Sequence, residues 1–174
     1  GVSYEEVTFD VYGPGGVAVM LETTTDNKNR TTAEIRKIFS QHGGNLGENG
    51  CVGWMFNRKG YISVNKPGVN EDDLMNIALE AGAEDFDNSD DEVYEITTLP
   101  DSFDAVVEAL KSKNIPLASN ELTNLPQTYI TLDEKKAETM ITLMDELEEH
   151  EDVKNVYANF DIPKEILSKI AAAA

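Results

Sequence analysis

The chain has 174 residues, of which 40% are hydrophobic, and it carries a formal net charge of −19 with a single cysteine. This length provides enough apolar residues for one large domain or two small ones, whereas so acidic a surface excludes non-specific coating of DNA by the whole protein. One cysteine excludes an internal disulfide framework and fits a reducing compartment. The sequence has neither a signal-peptide pattern nor an apolar run long enough for a membrane span, so no membrane partner is expected.

The negative charge is unevenly distributed along the chain. Residues 1–59 have a net charge of −1, residues 60–126 of −12 and residues 127–174 of −6. Because carboxylates repel phosphate, any nucleic-acid contact is expected in the first third. The acidity of the middle third is typical of a solvated face that keeps a protein soluble.

The first predicted elements form a β-hairpin. Residues 4–12 alternate between apolar and polar side chains, and residues 17–21 form a second, apolar strand. The intervening Gly13-Pro14-Gly15-Gly16 contains the residue types of a tight connection.

A helix, a glycine-rich loop and a strand are predicted next. Thr31 and Glu34 have the spacing of a capping box, which places the start of the helix at Thr31. Gly43 suits a left-handed cap at its end. The predicted buried stripe of the helix consists of Ile35, Ile38 and Phe39. After the loop, Cys51–Phe56 is predicted to return as a strand.

Residues 60–125 predict a unit of strand, helix, strand, strand, helix and strand. The two helices follow Asn70 and Asp101, and their apolar residues have the i, i+3, i+4, i+7 spacing of amphipathic helices. The strands are predicted near residues 61–64, 84–86, 93–97 and 117–122. This order is the ferredoxin-like arrangement.

The remaining residues predict a strand at 127–132, a helix capped by Asp133 and a strand at 153–160. This segment has no partner strands of its own, and the opening hairpin and helix lack a completed sheet. We therefore expect residues 1–58 and 126–162 to form one discontinuous α+β domain, with residues 59–125 inserted as an acidic ferredoxin-like domain. Residues 163–174 are expected to be a C-terminal tail, of which Ala171–Ala174 is a frayed end. The expected fold class is α+β, with two ferredoxin-like α/β sandwich domains, the second inserted into the first.

The sequence contains no constellation typical of catalysis or metal binding. His42 and His150 stand in no metal-ligand spacing with Cys51, and no nucleophile elbow or P-loop is present. The acidic run at residues 85–92 lacks the glycine and the bidentate glutamate of an EF-hand. We therefore expect no enzymatic activity, no cofactor and no metal.

One locally basic, glycine-rich region is the candidate contact surface. Its cations, with two neutral donors beside them, are Lys28, Arg30, Arg36, Lys37, Arg58 and Lys59, together with Asn27 and Asn29. Two loops can present backbone amides to an anion, and their candidate residues are Gly13, Pro14, Gly15, Gly16, His42, Gly43 and Gly44. A basic edge on an acidic body favours a directed phosphate contact over a broad coating.

Several motifs, in the same order along the chain, resemble the YebC family. They are Tyr12-Gly13-Pro14-Gly15-Gly16-Val17-Ala18, Thr25-Asp26-Asn27-Lys28-Asn29-Arg30-Thr31, His42-Gly43-Gly44-Asn45-Leu46-Gly47, Trp54-x-Phe56-x-Arg58-Lys59-Gly60, Leu125-Pro126-Gln127-Thr128 and Val156-Tyr157-x-Asn159-Phe160. The family includes proteins described as transcriptional regulators and the mitochondrial translational activator of cytochrome c oxidase subunit I. The resemblance covers nearly the whole chain.

The resemblance implies a non-enzymatic regulator of gene expression in the cytoplasm, with a mitochondrial member in the family. It implies association with DNA, or with ribosomal or transfer RNA on the ribosome, where members support translation through proline-rich stretches. It also implies a three-domain protein whose basic, helical N-terminal domain, absent from this chain, makes most of the nucleic-acid contact. The oligomeric state is left open.

Two alternatives to a nucleic-acid-binding regulator remain at this point. A small-ligand or phosphate-processing enzyme would need a deep pocket between the glycine-rich loops and a carboxylate of raised pKa within it. A pure protein-interaction module would dock a basic partner on the acidic residues 59–125. Charge reversal at Arg30 and Lys37 would abolish RNA or ribosome association but leave such an acidic docking face intact.

Overall fold

The computed structural model describes residues 2–173 and has the predicted α+β fold class. The chain divides into two compact units. One unit comprises the chain up to Phe56 and from Pro126 onward, and the other comprises Asn57–Leu125. In the described part of the chain, the helices are too short or too polar to cross a membrane.

The first unit contains a four-stranded antiparallel sheet and a short two-stranded parallel sheet. The four strands lie in the order β3-β1-β2-β9, and β8 pairs with β10. The elements of this unit, in chain order, are β1 (Glu5–Tyr12), β2 (Ala18–Thr25), α1 (Lys28–Gln41), β3 (Asn45–Leu46), the first residue of β4 (Phe56–Asn65), the last residue of β7 (Ser119–Pro126), β8 (Ile130–Thr131), α4 (Glu134–Glu149), β9 (Val153–Ala158), β10 (Phe160–Asp161) and α5 (Lys164–Ala173).

The two longest helices of this unit, α1 and α4, cover one face of its larger sheet. The strands contribute alternate apolar residues to the core, as a half-buried sheet requires, and the helices add their apolar stripes. The fully buried side chains of this core include Val11, Val19, Leu21, Ile35, Phe39, Met140, Leu143 and Leu147. A smaller apolar cluster of Ala18, Val52 and Phe56 lies under the loop that precedes β4.

That loop corrects the prediction of a strand at Cys51–Phe56. Residues Gly53–Met55 form a turn of 3₁₀ helix, and the strand begins only at Phe56. The backbone amides of Val52 and Gly53 both donate to the buried Asp10 carboxylate at 3.3 Å. Because these donors turn inward to one carboxylate, the segment cannot extend as a strand.

The start of α1 also differs from the prediction. The cap is Asn27, whose side chain accepts a hydrogen bond from the backbone amide of Arg30 at 3.1 Å. Thr31 lies in the first turn, fully buried, and its hydroxyl donates to the Asp152 carboxylate and contacts the Thr25 hydroxyl. Asn27 is an intrinsically strong N-cap residue, and the alternative cap is lost because the Thr31 hydroxyl is already bonded elsewhere.

The second unit contains the ferredoxin-like arrangement. Its elements are β4, α2 (Glu71–Glu80), β5 (Asp85–Asp87), β6 (Val93–Thr98), α3 (Phe103–Ser112) and β7, and its strands lie in the order β5-β6-β4-β7. Asn70 caps α2, as predicted, by accepting from the amide of Asp73 at 3.0 Å. The unit has its own core, whose fully buried members are Ile62, Val64, Leu74, Ala78, Ile96, Val106 and Leu110.

The C-terminal residues correct the prediction of a tail at 163–174. Residues 171–173 of the predicted frayed end are helical, and Ala174 lies outside the described residues. Residues Lys164–Ala173 form helix α5, and Ile162, Ile166 and Ile170 pack against the core of the first unit. The last predicted strand is divided into β9 and β10 at the buried Asn159. The predicted strand at 127–132 is reduced to the two residues of β8.

Candidate functional site

The exposed side of α1 carries three cations whose charges are not neutralised locally. Lys28, Arg36 and Lys37 are exposed, and within residues 2–173 no carboxylate lies within 4.0 Å of their charged nitrogens. Lys28 and Arg36 lie two turns apart on one stripe of the helix, with Thr32 between them. Asn29 is exposed in the first turn beside them. Lys37 follows Arg36 and projects about 100° further round the helix, outside that stripe. The three cations can accept anions without breaking an existing ion pair.

Arg30 differs from these three cations because its guanidinium already contacts three carboxylates. It lies 2.8 Å from Asp152, 3.2 Å from Asp26 and 3.3 Å from Glu34. The hydrogen bond to Asp152 and the surrounding negative charge raise the pKa of Arg30 above its ordinary value. The side chain joins the start of α1 to the turn before β9, and its charge is compensated within the fold.

Asp152 is the centre of a buried polar cluster at this junction. Its carboxylate accepts from Arg30 and from the Thr31 hydroxyl, each at 2.8 Å, and Thr31 also contacts the Thr25 hydroxyl at 2.7 Å. His150 lies 2.7 Å from Glu34 and accepts from the Asp152 amide. Burial acts to raise the pKa of Asp152, but the hydrogen bonds from Thr31 and Arg30 lower it more, so the net displacement is downward.

The loop that follows α1 is shaped by its own backbone contacts. Gly43 has a φ of 74°, and the Gly44 amide donates to the Phe39 carbonyl at 2.8 Å, as in a left-handed helix cap. His42 contacts the Ile38 carbonyl at 2.7 Å and Glu146 at 3.6 Å. His42 and Gly44 are therefore engaged in ending the helix.

The Gly13–Gly16 loop packs against the start of α4. Gly15 and Gly16 have φ values of 73° and 79° and are exposed, whereas Pro14 is buried. A side chain at Gly15 would meet Leu132 and Lys136 at 3.1 and 3.3 Å. This loop closes the β1–β2 hairpin.

A groove of about 600 Å³ runs along the outer edge of β1. One wall is formed by Lys28 and Thr32 of α1, and the other by the loop of residues 46–53. Asp10, the carboxylate next to that loop, is 5% exposed and accepts the Val52 and Gly53 amides. The Asp10 carboxylate therefore stabilises the fold of this loop. The enzyme hypothesis would instead require a carboxylate in the groove that is not committed to structural hydrogen bonds.

The remaining predicted cations, Arg58 and Lys59, belong to the second unit. Lys59 pairs with Glu84 at 2.6 Å, whereas Arg58 is exposed and has no carboxylate within 4.0 Å among the described residues. The predicted basic edge is therefore divided between two units. In the described part of the chain, no group of three potential metal-ligating side chains was found.

Trp54 is a surface residue that the sequence-based candidates omit. It is 65% exposed, yet its position is determined on both sides. Its indole Nε1 donates to the Cys51 carbonyl at 3.0 Å, and its own carbonyl accepts from the Gln127 side chain at 2.9 Å. The signal available in the sequence was a tryptophan next to glycine within a family-like motif.

The comparisons with known proteins agree with these motifs. The family described as "TACO1/YebC second and third domain" matches residues 4–160. A relative from Endomicrobium trichonymphae is 56% identical over 173 residues, which is 99% of this chain and 69% of the relative. Another from Dictyoglomus turgidum is 55% identical over 172 residues, 98% of this chain and 69% of the relative. Both are named "probable transcriptional regulatory protein".

A solved structure has the same fold. It is the crystal structure of a conserved hypothetical protein from Aquifex aeolicus, 46% identical to this chain, with a TM-score of 0.78. The match covers 96% of this chain and 69% of that one. The α+β fold, the ordered motifs and this degree of identity together show that the chain belongs to the TACO1/YebC family.

Proposed function

We propose that this chain is a nucleic-acid-associated regulator that contacts structured RNA, with the ribosome as its target, through the exposed side of α1. The observation that carries the proposal is the contrast among the cations of α1. Lys28, Arg36 and Lys37 are exposed and unpaired within residues 2–173, whereas Arg30 is neutralised by three carboxylates. Cations left unpaired on an acidic protein are suited to phosphate contact.

Structured RNA fits this surface better than a DNA duplex. Affinity for a duplex rises with the number of phosphates neutralised, and three cations on one helix make a short track. RNA is recognised through local shape and through exposed loops, where a small basic face is sufficient to fix orientation. The proposed place of action is the cytoplasm, and the proposed process is translation, including elongation through proline-rich stretches.

The test is co-sedimentation with ribosomes in a sucrose gradient at moderate salt. The informative variant is Arg36→Glu/Lys37→Glu, because neither side chain supports the fold through an ion pair among the described residues. Arg30→Glu is unsuitable because it would place a fourth carboxylate among Asp26, Glu34 and Asp152. The matched control is Lys135→Glu/Lys169→Glu, which makes the same change in charge at exposed positions of α4 and α5.

We expect the parent chain and the control to sediment with ribosomes and the Arg36→Glu/Lys37→Glu variant to remain at the top of the gradient. The slope of the logarithm of the binding constant against the logarithm of the salt concentration should become less negative by roughly 0.7 for each lost phosphate contact. The longer relative with matching substitutions is tested in parallel, because we propose that the third of its length outside the match adds most of the affinity. A shift of duplex DNA without ribosome binding would instead favour the transcriptional role.

A further inference from the structure

The outer edge of β1 is open along most of its length. β2 pairs with all of β1, from Glu5 to Tyr12. On the other side, β3 pairs only with Val11 and Tyr12, and one further hydrogen bond joins the Gly47 amide to the Asp10 carbonyl at 2.8 Å. Within residues 2–173, no strand pairs with this side of residues 5–9.

The alternation of the ladder determines which backbone groups face outward. In an antiparallel sheet, the N–H and C=O of successive residues point alternately to the two neighbouring strands. Asp10 directs its carbonyl to Gly47, so Thr8 and Glu6 direct their backbone groups to the same open side. Val7 and Phe9 direct theirs toward β2. The open edge therefore presents the donors and acceptors of Thr8 and Glu6.

The groove along this edge has the form of a strand-binding site. Its walls are α1 on one side of the sheet and the loop of residues 46–53 on the other, and its floor is residues 5–10 of β1. An added strand would lie in line with β3. Extended peptides commonly bind in this way, with main-chain hydrogen bonds giving affinity and side-chain contacts giving specificity.

The charge of the groove selects the chemistry of the occupant. Glu5 and Glu6 are exposed on the floor, and within residues 2–173 no cation lies within 4.0 Å of their carboxylates. Lys28 is the cation among the lining residues. A second copy of this chain would bring the same glutamates and a net charge of −19 to the pairing. Like charges at a strand pair are destabilising.

We propose that the edge of β1 binds an extended segment of another protein that carries Lys or Arg side chains, adding it as a strand at Glu6 and Thr8. This is a site on a sheet edge, and of the three α1 cations proposed to contact RNA only Lys28 also lines it. The added strand makes main-chain hydrogen bonds to Thr8 and Glu6. Its cations lie on one face and are opposite Glu5 or Glu6, because these two side chains project to opposite faces of the sheet.

The test uses the parent chain and a capped peptide of alternating Lys and Val, as long as the eight residues of β1. Amide hydrogen exchange is followed by NMR, with an alternating Glu and Val peptide as the matched control. At a free concentration of about ten times its dissociation constant, the basic peptide should slow the exchange of the Glu6 and Thr8 amides about tenfold. The amides of Val7 and Phe9, already bonded to β2, should change little.

Two variants make the result decisive. Thr8→Pro removes an outward amide, which an edge strand tolerates, and it should abolish the effect of the basic peptide. Glu5→Lys/Glu6→Lys keeps the edge and should transfer the preference to the acidic peptide. Unchanged exchange in the parent chain, or binding that survives both variants, would overturn the proposal. It would equally be overturned if sedimentation velocity showed a dimer that Thr8→Pro dissociates, because the occupant would then be a second copy.

Discussion

Arg30 and Lys37 lie two turns apart on α1, and their environments assign them different roles. Arg30 is held by Asp152, Asp26 and Glu34, whereas Lys37 extends into solvent. The contact with Asp152 is the important one because Asp152 is 7% exposed. An exposed ion pair contributes little to stability, but a hydrogen-bonded buried carboxylate is costly to disrupt.

We therefore expect Asp152→Asn to lower the free energy of unfolding by about 1.5–3 kcal/mol at neutral pH. The amide removes the charge that binds Arg30 and one acceptor for Thr31. Urea unfolding measures the change. Asp26→Asn, which alters the exposed contact of the same guanidinium, is the control and should cost under about 1 kcal/mol. Equal losses from the two variants would contradict a special role for the buried carboxylate.

The lowered pKa of Asp152 also predicts a pH dependence. A carboxyl whose pKa is lower in the folded state stabilises the fold at pH values above its unfolded pKa, and this contribution is lost as the pH falls through the folded value. The parent chain should therefore lose this contribution below about pH 4. Asp152→Asn should show a smaller acid-induced loss over that range, measured by urea unfolding at a series of pH values. If the free energy of unfolding fell with decreasing pH equally in the parent chain and in Asp152→Asn, Asp152 would not be the group responsible for the acid-induced loss.

Gly43 and Gly44 are adjacent in sequence but should respond differently to substitution by alanine. A Cβ on Gly44 would collide with the Tyr12 carbonyl and crowd the Phe39 ring, whereas a Cβ on Gly43 would meet nothing within 4 Å. Gly43→Ala should therefore lower the free energy of unfolding by only about 1–2 kcal/mol, which is the cost of holding alanine in the left-handed conformation. Gly44→Ala should cost more, because the Tyr12 backbone must move. Thermal unfolding of the two variants tests this order, and the reverse order would refute it.

At the scale of elements, α5 is expected to contribute measurable stability to the first unit. Ile166 and Ile170 are half-buried against its core. Truncation before Lys164 would expose that surface, and Ile170→Ala alone should cost about 1–2 kcal/mol because the side chain is only partly buried. Replacement of the exposed Lys169 by alanine is the control on the same helix. A truncated chain as stable as the parent would show that α5 does not pack in solution.

The sequence was sufficient to predict elements wherever local pattern and tertiary packing agree. The alternation of residues 4–12 predicted β1, and the ferredoxin-like order of residues 60–125 followed from two apolar stripes and four short strands. It failed where a distant residue decides the local structure. Asp10 draws in the amides of Val52 and Gly53 from more than 40 positions away, so an apolar run that resembles a strand becomes a turn.

The candidate site shows the same limit. Residue type and clustering identified the cations of α1, and the i,i+4 spacing of Asp26 and Glu34 from Arg30 was a local signal of ion pairing that the prediction did not use. The buried partner of Arg30, Asp152, is 122 positions away and has no local signal. The open edge of β1 was equally hidden, because its existence depends on the shortness of β3 rather than on any residue of β1 itself.

At the scale of the whole molecule, the two units should fold separately. Each has its own core, and the ends of the first unit meet where the second departs, since the Gln127 amide donates to the Met55 carbonyl at 2.9 Å. We expect residues 57–125 alone, and the first unit closed by a short glycine linker of about four residues, each to unfold in one cooperative transition. Circular dichroism with denaturant titration checks both, and a fragment without a cooperative transition would contradict separate cores.

The same two fragments separate the competing functions. If α1 makes the contact, the closed first unit should sediment with ribosomes as the parent chain does, and Arg36→Glu/Lys37→Glu should weaken it there too. Residues 57–125 contain all the acidic residues of the segment 60–126. They should not sediment, because carboxylates repel the phosphates of RNA. Ribosome binding by residues 57–125 alone would instead assign the contact to an acidic surface meeting a basic protein, and the role proposed for α1 would fail.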